Sequence, residues 1–127
     1  MLKAIRHLDY VVLICSDLQT MRRFYEEVMG FSLHRELGDA WIELRIGASI
    51  LALRPRNRPY DGPAPAAETA SLQLAFRVAP GEVGPCYAEL VEQGVTILNP
   101  PTDQVWGHRT LFFADPEHNV VEIYAEI

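Results

Sequence analysis

The chain has 127 residues, about half of them apolar, and a net charge of −6, which is the length and composition of one globular domain able to bury a core without disulfides. The acidic balance leaves no positive footprint for displacing counterions from a nucleic-acid backbone, so nucleic acid is not an expected partner. No apolar run approaches the ~20 residues that span a bilayer, and MLKAIRHLDY has no long apolar stretch behind its charges, so a cytoplasmic protein with no membrane partner is expected.

Residues 5–15, IRHLDYVVLIC, predict a strand ending in a fully apolar run. SDLQTMRRFYEEVMGF follows. Ser16 or Asp17 caps a helix, and Gln19 is available for a capping box with Ser16. Leu18, Met21, Phe24, Tyr25, Val28 and Met29 recur on one helical face. Gly30 stands where a helix needs a left-handed residue to stop. Short β runs are predicted at 31–36, 40–46 and 49–53, punctuated by Gly38-Asp39 and Gly47-Ala48. The stretch RPRNRPYDGPAPAAETA, rich in proline and small residues, predicts a linker. Its Arg54, Arg56 and Arg58 read as an exposed loop ahead of an anion-binding patch.

The second half opens with a strand over 71–78, then a helix over 81–93 carrying Val83, Cys86, Tyr87, Leu90 and Val91 on one face, with Gly94 as its stop. A strand begins at 95–98 and is broken by Pro100-Pro101. RTLFFADPEHNVVEIYAEI, residues 109–127, reads as strand, tight turn, strand. Cys15 and Cys86 lie far apart within apolar patterns and read as small buried residues, not a redox pair.

Both halves thus run strand, helix, glycine stop, then three strands, which is an internal duplication. The domain reading is 1–54 as a first βαβββ module, 55–70 as a Pro-rich linker and 71–127 as a second module. In register, Gly30 matches Gly94, Tyr10 matches Gln73, and SILAL matches NVVEIY, which sets Ala52 opposite Glu122.

The strand running into SDLQTMRRFYEEVMGF, then WGHR, then DPEHNVVEIY, resembles the vicinal oxygen chelate superfamily of glyoxalases, bleomycin-resistance proteins and extradiol dioxygenases. Asp17-Leu18 with Phe24-Tyr25 and Gly30-Phe31 is one part of the match, and Asp115-Pro116 with Asn119 and Glu122 is the other. His118 departs from it, standing where the family usually has glycine and where positive φ is expected. The resemblance implies an α+β fold of two βαβββ modules whose curved mixed sheets surround a cavity. It also implies a small-molecule ligand or substrate and a homodimer.

In the metal-dependent members, divalent ions bind at positions that map to Tyr10, Ala52, Gln73 and Glu122, the four that the repeat register also selects. Ala52 cannot ligate. Tyr10 ligates only as a phenolate, which its ordinary pKa of ~10 disfavours. Gln73 offers a weak amide oxygen, and Glu122 is the one good ligand. No metal cofactor is therefore expected. The resemblance further places Trp106, His108 and Arg109 along the pocket.

Several residues keep two readings. Alternation sets Glu122 apart from Val121 and Ile123, facing either solvent or a pocket where Tyr10 or Gln73 donates to it. Trp106 is a packed core aromatic or a pocket wall. Arg109 is a cross-strand partner for an acid or an anion clamp. Trp41 and Tyr60 are candidates for the cavity rim. His7, His34 and His118 are read as surface histidines.

The functional expectation is a metal-independent protein that binds a small organic molecule. One alternative is a metal-dependent lyase, isomerase or dioxygenase with an altered ligand set and Fe, Mn, Zn or Ni. The other is a metal-free enzyme with Glu122 as general base, since a carboxylate buried among apolar side chains has a raised pKa suited to that work.

Overall fold

The computed structural model describes residues 1–127. The chain divides into two compact units, Met1–Ala64 and Pro65–Ile127. Each contains one open, curved four-stranded mixed sheet.

In the first unit, β1 (Tyr10–Cys15) pairs in parallel with β4 (Ser49–Pro55), and β3 (Trp41–Ile46) and β2 (Ser32–Leu37) follow antiparallel, giving the order β1-β4-β3-β2. The strand begins at Tyr10, not at residue 5, because β4 offers its first partner there, Ile50. Asp17 is the N-cap of α1 (Leu18–Arg23), accepting from the Thr20 amide at 3.1 Å and the Thr20 hydroxyl at 2.7 Å. Those two bonds hold the Asp17 carboxyl below its usual range. The Gln19 amide reaches Asp39 Oδ1 at 3.5 Å. The helix continues as a π-helical turn, Phe24–Val28. Met21, Phe24 and Tyr25 from these turns are buried with Leu13, Cys15, Ile42, Leu44, Leu51 and Leu53.

The segment after β4 is built, which corrects the reading of Arg54 as an exposed loop residue. Arg54 is buried and donates to both carboxylate oxygens of Asp61, at 2.8 and 2.6 Å. The same carboxylate takes the backbone amides of Asn57 and Arg58. Residues 55–61 are thus closed around one carboxylate.

In the second unit, β5 (Gln73–Arg77) pairs in parallel with β8 (Val120–Glu126), and β7 (His108–Ala114) and β6 (Ile97–Asp103) follow, giving β5-β8-β7-β6. A short 3-10 turn, Pro80–Glu82, leads into α2 (Val83–Glu92). Pro100-Pro101 do not end β6. The register slips between Asn99 and Thr102, and β6 is an edge strand, where a residue without an N–H is tolerated. Val83 and Leu90 are buried with Leu111, Phe113, Val121 and Ile123.

The two sheets repeat each other in topology and in register. Val12 pairs with Ala52 as Ala75 pairs with Glu122. The helix stops Gly30 and Gly94 both have φ of 74°. His118 has φ of 65°, the left-handed value expected at that turn. No helix is long and apolar enough to cross a membrane.

Candidate functional site

Each sheet has a core face and an open face. Residues paired directly across strands share a face. The row Val12, Ala52, Glu43 therefore lies on one side of the first sheet, and alternation adds Tyr10, Trp41 and Arg45 to it. The other side carries Leu13, Leu51, Leu53, Ile42 and Leu44, all buried. Tyr10 on β1 and Trp41 on β3 meet edge to face, with ring centroids 6.0 Å apart. Since β4 runs between these strands, the contact crosses over it, above Ala52, which has 0% exposure.

Glu43 holds this face together. Its Oε2 accepts from the Trp41 indole N–H at 2.7 Å and lies 3.7 Å from Arg35 Nε. Its Oε1 is 3.9 Å from His34 Nε2. Arg45 is on the same face two residues on, yet it turns to His34, 3.2 Å from Nδ1.

On the second sheet, Gln73, Ala75, Glu122, Tyr124, Phe112, Thr110 and His108 share the open face by the same register argument. Gln73 Nε2 donates to Glu122 Oε1 at 3.1 Å. An ionised carboxylate only accepts, so the amide must turn its NH₂ to Glu122 and its carbonyl away. His108 stacks on Tyr124, centroids 4.7 Å apart and planes 25° apart. Phe112 is the cross-strand neighbour of Glu122. Glu122 thus has one amide donor and Phe112 as its cross-strand neighbour.

The sequence model of the Glyoxalase/Bleomycin resistance protein/Dioxygenase superfamily matches residues 7–123. The chain belongs to this superfamily. It is 42% identical over 124 residues to the protein YraH of Bacillus subtilis, covering 88% of this chain and 92% of that one. It is 27% identical over 132 residues to the glutathione transferase FosA of Serratia marcescens, covering 98% of this chain and 82% of that one. The fold is similar to a glyoxalase/bleomycin resistance protein/dioxygenase from Nocardioides, with a TM-score of 0.80 and 24% identity over 97% of this chain and 85% of that one.

Against what this superfamily's resemblance implied, Arg109 lies on the opposite side of its sheet from Glu122. Its register partners are the buried Ala125 and, across β6, Asp103. It donates to both Asp103 oxygens, at 2.6 and 3.2 Å, and to the Pro80 carbonyl at 3.3 Å. This cross-strand pairing holds the Asp103 carboxyl below its usual range. It also removes Arg109 from the row that carries Glu122, so it is a cross-strand partner and not an anion clamp beside that carboxylate. Trp106 is in the loop between β6 and β7 at 61% exposure, which rules out a core aromatic.

The donor set at the mapped positions is a poor fit to a divalent ion. Ala52 is covered, and Gln73 points its N–H side at the one good ligand, Glu122. No group of three or more His, Cys, Asp or Glu side chains is placed to hold a metal.

Sequence reasoning missed Glu43, while His34 is exposed as expected. The signal was present in WIELRI, where strict alternation puts Trp41, Glu43 and Arg45 on one face and Ile42, Leu44 and Ile46 on the other. In repeat terms, Glu43 stands where Phe112 stands and Ala52 where Glu122 stands. Each sheet keeps one carboxylate in that central pair, on neighbouring strands.

Proposed function

We propose that this chain binds a small organic molecule against the open faces of its sheets, without a tightly bound metal. The observation that carries this reading is the Gln73–Glu122 hydrogen bond. A carboxylate bonded to a neutral amide, with Phe112 across the strand, suits an organic ligand's hydroxyl or N–H group better than a metal ion that needs several committed donors. The likeness to FosA, a glutathione transferase, supports a small organic partner at family level. Fold-level analogy supports a homodimer, which light scattering tests through the mass in solution.

A second reading is a metal-free enzyme with Glu122 as general base. It is favoured by the Gln73 bond, which engages only Oε1 of Glu122.

The test is a small-molecule library screened by thermal shift in the presence of a chelator. The expected result is a set of ligands whose affinity falls about tenfold or more with Glu122→Gln, the scale of one lost charge-assisted hydrogen bond. Ligands that bind only after a divalent ion is added would overturn the metal-free reading.

A further inference from the structure

On the open face of the first sheet, Glu43 and Arg45 stand on one strand without pairing with each other. Glu43 and Arg45 are two residues apart on one strand face, about 7 Å between Cα atoms, and long side chains bridge that distance readily. Yet no ion pair forms between them. Glu43 Oε2 instead takes the Trp41 indole at 2.7 Å and lies 3.7 Å from Arg35 Nε, while Arg45 meets the His34 ring at 3.2 Å. Glu43 Oε1 has no donor nearer than His34 Nε2 at 3.9 Å, although its side chain is only 18% exposed. Arg45 has no carboxylate partner at all. Buried and half-buried carboxylates ordinarily find donors, and guanidinium groups pair readily with planar acids. Beside the two charges stands the Tyr10–Trp41 edge-to-face pair, with Tyr10 half exposed.

We infer that Glu43 and Arg45 are a split charge pair that a ligand completes. The ligand class is an α-amino or α-hydroxy acid with a planar apolar body. Its acid group meets the Arg45 guanidinium, its N–H or O–H donor meets Glu43 Oε1, and its body lies along Trp41 and Tyr10. A simple organic cation matches less well, because Arg35 and Arg45 together outweigh Glu43. A simple acid leaves Glu43 without a donor. This inference rests on the small-molecule reading above and names its ligand class.

The test is calorimetry on the full chain with phenylalanine, phenyllactate, phenylpropionate and phenethylamine. The two amphoteric or hydroxy-acid probes should bind about tenfold or more tighter than the two that lack one group. Arg45→Gln should bring them down to the level of phenethylamine. Glu43→Gln should bring them down to the level of phenylpropionate, and its carbonyl still accepts from Trp41, so the wall stays in place. Thermal melts check that the variants fold, and Glu43→Asp stands in if Glu43→Gln does not. Equal binding of all the probes, binding of none, or discrimination that survives both substitutions would overturn the split pair. If a wider library gives ligands that respond to Glu122→Gln and ignore Glu43 and Arg45, the small-molecule reading stands and the split pair falls. If such a library gives no ligand at all, both fall.

Discussion

Tyr10 and Trp41 stand edge to face across a whole strand, with planes at 85° and centroids 6.0 Å apart. The strand beneath is β4, and the residue at the crossing is Ala52, fully covered. A larger side chain there must push the two rings apart or turn off its rotamer, at a cost of typically ~1–3 kcal/mol for an overpacked site. Ala52→His is therefore expected to lower the denaturant midpoint by that amount at an unchanged slope. A midpoint shift worth under about 0.5 kcal/mol, the usual range for a surface change, would mean that the aromatic contact does not close over position 52.

The Arg54–Asp61 clasp makes a pH prediction. The side chain of Asp61 is 2% exposed, and its carboxyl is held well below the usual carboxylate range, first by the Arg54 hydrogen bonds. The sign follows from linkage. A carboxyl with a depressed folded-state pKa contributes stability that is fully present above its unfolded value of about 3.9, and it loses that stability as pH falls towards the folded value. The melting temperature should fall below about pH 4, and Asp61→Asn should flatten that part of the profile while lowering stability at pH 7. A variant with the same acid limb as the parent would show that other carboxylates carry it.

His118 adopts a φ of 65° in the Asp115–Asn119 turn, where its amide donates to the Asp115 carbonyl at 3.0 Å. Left-handed backbone costs a side-chain-bearing residue roughly 1–2 kcal/mol, whereas glycine's penalty is the smaller one of unfolded-chain entropy. The expected stability order is His118→Gly at or above the parent, then the parent, then His118→Val lowest. Chemical denaturation ranks them. A valine variant as stable as the glycine one would mean that the turn has relaxed to another conformation.

What was legible in the sequence was what periodicity and glycine placement control. The duplication, the two helix stops at Gly30 and Gly94 and the left-handed turn at His118 all follow from local backbone needs, and they are in the structure as expected. The pairing offset of Tyr10 with Ala52 repeats that of Gln73 with Glu122, so the repeat register was readable too. Tertiary pairing was not. Arg54 and Asp61 are separated by prolines and polar residues that look like a loose linker, and only the folded chain brings them together. Pro100-Pro101 looked like a break because edge position is invisible to a local reading. Arg109 follows Trp106 and His108 in sequence, but alternation turns it to the core side. Glu43 lies on β3, which is not one of the strands that carry the superfamily's ligand positions, so the resemblance gives no signal for it.

The last prediction concerns metal. Purified without added metal, the protein should carry well under one divalent ion per chain. Its mapped positions present one carboxylate, Glu122, one amide turned N–H-first towards that carboxylate, one phenol and a covered alanine. Working sites commonly have three or more committed ligands. Gln73→His supplies beside Glu122 an imidazole of the kind that suits iron, manganese or zinc, and it frees Glu122 from its amide partner. Affinity for these ions should rise measurably, and adding Glu122→Ala should abolish the gain. Elemental analysis after dialysis decides the first part, and metal titration decides the second. Near-stoichiometric zinc, nickel, manganese or iron in the unmodified protein would show that Gln73 turns its carbonyl inwards, and would put a metal-dependent lyase, isomerase or dioxygenase ahead of the binding protein proposed above.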